Sequence, residues 1–80
     1  MEVYPFHHKN LFFNVITDYD LAFTEIRNIL DQLLQKEAFD GKGDHGGRGN
    51  LYTLRADNIE YEVDVNCYEV VIYRRTDLTA

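Results

Sequence analysis

The side chains in this chain that could do chemistry are three histidines, one cysteine and a set of carboxylates. His7 and His8 are adjacent, so on a strand they point to opposite faces and cannot chelate one ion together. There is no HxxxH and no CxxC spacing, and the sequence predicts no metal site and no cofactor. Cys67, His45 and Asp44 have the residue types of a nucleophile, a base and an orienting group. However, Cys67 falls in a tight turn and His45 in a glycine-rich loop, and nothing in the spacing brings them together. A turn cysteine and surface histidines are the simpler reading, and an enzyme built on Cys67 and His45 is the weakest functional alternative.

The loop 40–50, Asp-Gly-Lys-Gly-Asp-His-Gly-Gly-Arg-Gly-Asn, holds all five glycines. It does not have the chemistry of a phosphate cradle, which needs GxxxxGK and then Ser or Thr, after a strand and before a helix. Here the loop follows a helical pattern and precedes a strand pattern, so the dinucleotide fingerprint fails too. Asp40 and Asp44 lack EF-hand spacing, and a single Arg48 between glycines is a weak nucleic-acid signal. The sequence reads as a flexible connection whose Lys42, Asp44, His45 and Arg48 could touch a macromolecular partner.

The carboxylates are better ordered. Ile59-Glu60-Tyr61-Glu62-Val63-Asp64-Val65 alternates apolar and acidic residues, which predicts a strand with one buried and one wet face. Glu60 and Glu62 project on the same side about 7 Å apart, at roughly 3.3–3.4 Å of rise per residue. Acid–base catalysis would also need a cleft that shifts one of the two pKa values, and a flat sheet face has none. The pair therefore reads as an electrostatic stripe.

The elements that position this strand follow from pattern and punctuation. Residues 11–17 alternate as a strand, and Val3, Tyr4 and Phe6 suggest a short edge strand interrupted by Pro5, forming a hairpin with 11–16. Thr17-Asp18-Tyr19-Asp20 reads as a helix start, with Thr17 or Asp18 as the cap. A helical stripe of Ala22, Phe23, Ile26, Ile29, Leu30, Leu33 and Leu34 then runs to about Phe39, with Glu25, Asn28, Gln32 and Gln35 opposite. Strands at 51–56, 59–65 and 68–74 follow, joined by short turns at Asp57-Asn58 and Asn66-Cys67. The tail 76–80 has no pattern and is expected to fray.

The expected architecture is α+β: one helix on one face of a mainly antiparallel four-stranded sheet, β-α-β-β-β, with an extra N-terminal edge strand. Residues 1–80 form one domain. Two-residue turns place Tyr61 between Leu54 and Ile72, and Val63 between Tyr52 and Val70, on the covered face. On the other face, Glu60 falls between Arg55 and Tyr73, Glu62 between Thr53 and Val71, and Asp64 between Leu51 and Glu69. With Phe12, Asn14 and Ile16, these residues form a face that is partly acidic and partly apolar, with Asp64 against Glu69 as a like-charge pair.

Composition narrows the function classes. Fourteen acidic against eight basic residues give a formal charge of −6, which argues against direct nucleic-acid binding. No apolar run approaches the roughly 20 residues of a membrane helix, and 1–5 does not read as a secretory signal. A single cysteine fits a reducing compartment, most simply the cytoplasm. By analogy, small acidic α+β domains without an active site are common among inhibitors: phage anti-defence (anti-CRISPR-like) proteins, immunity proteins and nucleic-acid mimics. The leading expectation is therefore a non-enzymatic binding module. Glu60, Glu62, Asp64, Glu69, Val71 and Tyr73 would meet a basic surface on a protein partner, such as a nucleic-acid-binding protein. The alternative is an assembly protein whose open face forms a homodimer or docks in a complex.

Overall fold

The computed structural model describes residues 2–8, 11–39, 50–66 and 69–79. The elements are β1 (Glu2–His8), β2 (Leu11–Thr17), α1 (Phe23–Gln35), β3 (Asn50–Ala56), β4 (Ile59–Val65) and β5 (Glu69–Asp77). They form an α+β domain with one helix on a five-stranded mixed sheet of order β1-β2-β5-β4-β3. The N-terminal edge strand is longer than the patterned residues 3–6 and pairs with β2 along its whole length. Pro5 sits in this edge strand, where a missing N–H is tolerated. β2 and β5 are parallel and adjacent, and the other neighbours are antiparallel. The chain thus leaves β2, crosses the sheet as α1, enters at the far edge as β3 and meanders back to β5.

The β3–β4 register matches the sequence expectation: Leu54 faces Tyr61, Tyr52 faces Val63 and Arg55 faces Glu60. Asp57, first in the two-residue turn, has φ of 55°, the left-handed region that such tight hairpin turns require. The β4–β5 register differs. Val65 faces Val70, because Asn66 and Glu69 close the turn between them. The Asn66 N–H donates to the Glu69 carbonyl at 3.0 Å, and the Glu69 N–H donates to Asn66 Oδ1 at 2.9 Å. Two extra turn residues slip the partners by two, so Val63 faces Ile72 and Asp64 faces Val71. The expected Asp64–Glu69 pair does not form.

A bulge follows. Val63 pairs with Ile72 but Glu62 pairs with Arg74, so Tyr73 is the extra residue. One inserted residue reverses the alternation of faces beyond it. Arg74 then lies opposite Glu62 on the open face, and Arg75 lies opposite Tyr61 on the covered face. β5 continues to Asp77, so the tail is tied in further than its sequence suggested. The Leu78 N–H donates to the Asn58 carbonyl at 2.7 Å, and Asp77 Oδ1 accepts from Thr79 Oγ1 at 2.6 Å.

The covered face and the helix share one core: Phe13 and Val15 of β2, Leu54 of β3, Tyr61, Val63 and Val65 of β4, Val70 and Ile72 of β5, and Ile26, Ile29, Leu30 and Leu33 of α1. The apolar stripe is narrower than predicted, since Phe23 is 72% exposed at the first turn while Leu21, ahead of the helix, is buried. The helix also starts later. Ala22 occupies the cap position, and Thr17 is buried in the sheet with its Oγ1 accepting the Tyr19 N–H at 3.0 Å. After Gln35 the chain turns at Glu37, whose φ is 56°. The Glu37 N–H donates to the Leu34 carbonyl and the Ala38 N–H to the Leu33 carbonyl, a Schellman closure that stops the helix. This turn sends Phe39 onto β2, 4.6 Å from the Phe13 ring and 6.1 Å from Phe6 of β1.

Glu25, expected on the solvent side, instead ties the start of the helix to the sheet. Its Oε1 accepts from Tyr61 Oη at 2.7 Å and from Arg75 Nε at 2.9 Å, and its Oε2 accepts the Ala22 N–H at 3.0 Å. Gln32 likewise reaches the sheet, with Nε2 donating to the Arg55 carbonyl at 2.8 Å. Partial burial pushes the Glu25 carboxyl up, but the bonds from Tyr61, Ala22 and Arg75 outweigh it and leave the pKa below 4.5. Burial first, and then Glu25 as acceptor and charge, push the Tyr61 hydroxyl up to about 12.

The signs give opposite limbs of a stability profile. Glu25 has a depressed folded pKa, so its contribution is present above the unfolded value and is lost as pH falls through the folded one. Tyr61 has a raised folded pKa, so its contribution is full below pH 10 and is lost as pH rises towards about 12. Glu25→Gln should lower stability at pH 7 and flatten the acid limb below pH 4.5, measured by urea unfolding at stepped pH. An unchanged acid limb in the folded variant would show that Glu25 does not carry it.

Candidate binding face of the sheet

The helix covers one face of the sheet, and the other carries no element of the described chain. The strand registers build this open face residue by residue. Val3 faces Ile16, Ile16 faces Val71, Val71 faces Asp64 and Asp64 faces Leu51. These five residues form one row across all five strands, about 19 Å long at roughly 4.8 Å between strands. Four are apolar and one is acidic. Both ends of the row are open to solvent, with Val3 49% and Leu51 70% exposed.

The two sides of the row differ. Towards the C-terminal ends of β2 and β5, Glu62 lies between Arg74 and Thr53, and Glu60 lies between Thr76 and Arg55. Arg55 Nη2 is 3.4 Å from Glu60 Oε2, and Arg74 Nε is 3.7 Å from Glu62 Oε2. Such solvent-exposed pairs contribute at most about 1 kcal/mol each. They nevertheless neutralise the charge of that side locally. On the other side, Pro5, Asn14 and Glu69 form a row, and beyond it His7 stacks on Phe12 with ring centroids 4.2 Å apart. Phe12 is 72% exposed.

Of the residues expected to make a partner surface, Glu60, Glu62, Asp64, Glu69 and Val71 share this face, but in changed company. Glu69 lies opposite Asn14 of β2. Tyr73 does not stand beside Glu60; it is the bulged residue, half exposed. Lys42, Asp44, His45 and Arg48 of the glycine loop, and Cys67, lie outside the described residues. Sequence reasoning missed Arg74 as a member of the face and Val3 as the end of the apolar row. The first needed the bulge, while the second follows once the β1–β2 hairpin is in register.

Asp64 stands apart from the other acids of β4. Its Oδ1 is shut off from solvent and has no hydrogen-bond partner. Its neighbours across the strands are Leu51 and Val71, neither of which can donate from its side chain. A carboxylate oxygen that has lost water without gaining a donor is unfavourable for the isolated domain. The described residues contain no cluster of three or more His, Cys, Asp or Glu that could hold a metal ion. Among them no helix is long and apolar enough to cross a membrane. Comparison of the chain with protein-family models, curated proteins and solved structures finds no match.

Removing the unpartnered carboxylate should stabilise the domain. Asp64→Val completes the row with a residue suited to a strand and is expected to raise unfolding free energy by about 0.5–2 kcal/mol. Guanidinium unfolding monitored by tyrosine fluorescence checks this. A loss of stability would mean that Asp64 has a structural partner in solution.

Proposed function

We propose that this chain is a non-enzymatic protein-binding module that meets its partner with the open face of the sheet. The observation that supports this reading is the row Val3, Ile16, Val71, Asp64 and Leu51, apolar and solvent-facing at its ends, with the half-buried Asp64 as its one acidic member. Contiguous apolar surface of this kind favours burial against another protein. A cytoplasmic setting belongs to the same reading, supported by the single cysteine.

An inhibitor of the phage anti-defence, immunity or nucleic-acid-mimic type is the biological form we favour, in keeping with the charge of −6. The geometry shifts its emphasis. A phosphate mimic would need the β4 carboxylates free, yet Glu60 and Glu62 each have an arginine beside them on the same face. The contact that results is an apolar row with ion pairs at its rim, the usual layout of a protein–protein interface.

The test compares capture of host proteins by the wild type with three folded variants. Val71→Lys interrupts the row and should abolish capture. Phe23→Ser, on the exposed first turn of α1, should leave it intact. Glu60→Gln with Glu62→Gln separates the two modes, since an apolar contact survives the double change and a charge mimic does not. Undiminished capture by folded Val71→Lys would overturn the open face as the contact. A tight dimer in sedimentation, dispersed by Val71→Lys, would instead make this face an assembly surface.

A further inference from the structure

The two edges of the sheet are unlike. In the β3–β4 hairpin, Ala56 and Ile59 close the two-residue turn as a hydrogen-bonded pair. Alternation then turns the N–H and C=O of Leu51, Thr53 and Arg55 away from β4. The Gln32 side chain marks the same phase, since its Nε2 donates to the outward Arg55 carbonyl at 2.8 Å. Among the described residues nothing pairs with the outward groups of Leu51 and Thr53, and both residues are exposed. At the opposite edge, Pro5 stands in the outward phase of β1 and removes a donor there. β3 has no such guard, because Asn50 to Leu54 is free of proline and of charge.

We infer that β3 pairs antiparallel with β3 of a second copy of this chain, joining two sheets edge to edge about a two-fold axis at Tyr52. The register follows from which groups are free. A two-fold centred on Thr53 would need the Arg55 carbonyl, which Gln32 holds. Leu51 and Thr53 keep both outward groups unpaired. Symmetry therefore sets Leu51 against Thr53 of the second copy, and Thr53 against its Leu51, each pair exchanging N–H···O=C bonds in both directions. Tyr52 falls on the axis in the closer, non-hydrogen-bonded kind of pair. There the half-buried Tyr52 meets its counterpart on the covered face, an aromatic cross-strand contact.

Charge and placement of the helix are compatible with this seam. One row across it reads Asp64, Leu51, and then Thr53 and Glu62 of the second copy. The acids at its ends stand three strand spacings apart, about 14 Å at roughly 4.8 Å each, beyond the screening length at physiological salt. α1 is tied to β3 at the Arg55 carbonyl, away from the axis at Tyr52. The two ties therefore lie on opposite sides of the axis, about 20 Å apart along the strands, and leave Leu51 and Thr53 clear. The pairing sets the open faces of the two copies side by side on one continuous sheet. The edge contact does not depend on what those faces bind.

Sedimentation equilibrium of the purified full chain, combined with amide hydrogen exchange read residue by residue by NMR, tests this contact. A dimer is expected. The Leu51 and Thr53 amides should gain about tenfold protection as concentration rises through its dissociation constant, and the His7 amide of edge strand β1 should gain none. Thr53→Pro removes an outward donor without touching the β3–β4 ladder, as Pro5 does in β1, so the variant should fold and weaken the dimer at least about tenfold. Val71→Lys, on the open face, should leave the dimer intact. A chain that is monomeric at every concentration would overturn the edge contact, and so would a dimer whose Leu51 and Thr53 amides exchange as freely as in the monomer. A dimer undiminished in folded Thr53→Pro, or dispersed by Val71→Lys, would overturn it equally. Where Thr53→Pro does not fold, the concentration dependence of the wild-type amides decides alone. Each of these failures except the last, dispersal by Val71→Lys, leaves the open face as a partner-binding surface untouched.

Discussion

The constraint that sets both faces of this protein is the extra residue in β5. Side chains of a strand alternate, so one inserted residue exchanges the faces of everything beyond it. Had β5 run straight past Ile72, Arg74 would lie under the helix and Arg75 would face outwards. The bulge at Tyr73 reverses this. Arg75 reaches Glu25 on α1 at 2.9 Å, and Arg74 approaches Glu62 on the open face at 3.7 Å. One interruption of the ladder thus provides both arginines with acidic partners. Its cost falls on Tyr73, which stands half exposed where the strands are out of step.

The helix depends on the same event. Ala22 has no side-chain oxygen with which to cap, so the start of α1 is held instead by the Glu25 carboxylate. That carboxylate also receives the hydroxyl of Tyr61, a residue only 1% exposed, whose oxygen would otherwise be stranded in the core. Glu25 therefore joins the cap, β4 and β5 at one end of the helix. The aromatic group of Phe39, Phe13 and Phe6 holds the chain just beyond the other end against β2 and β1. These two anchors show that α1 runs antiparallel to β2 and β5. Between them, Gln32 bonds to the Arg55 carbonyl on edge strand β3, removing one free acceptor from an edge that could otherwise recruit another strand.

Much of this was readable from residues alone, and the limits have physical causes. The alternation of Ile59 to Val65 identified β4, its covered face and its pairing with β3, because Asp57-Asn58 makes a turn with no freedom of length. The β4–β5 pairing was not readable to the same degree. Asn66 signals a turn, but its partner in closing that turn is Glu69, and the signal does not encode the distance to the partner. Nor does the bulge leave a pattern: Val70, Val71, Ile72 and Tyr73 are consecutive apolar residues, and a run without alternation has no parity to violate. The helix start was misplaced because Thr17 and Asp18 are good capping types, whereas Thr17 is more valuable as a buried member of β2. Glu25 and Gln32 looked solvated because helical periodicity reports which side is apolar, not which polar residues border the sheet.

The acidic side of β4 shows why register matters to function. In sequence, Glu60, Glu62 and Asp64 are three equivalent outward carboxylates, and a wet face suited to solubility explains all of them equally. In the fold they are not equivalent. Glu60 and Glu62 stand in rows with arginines, and the chain itself accounts for them. Asp64 stands in the one row that is otherwise apolar across all five strands, with an oxygen that neither water nor protein satisfies. Solubility does not explain a carboxylate oxygen withdrawn from solvent. Internal stability does not explain it either, since an apolar side chain would suit that position better. The Asp64 carboxylate therefore weakens the isolated domain at the middle of the most apolar row of its open face, with Leu51 and Val71 on either side.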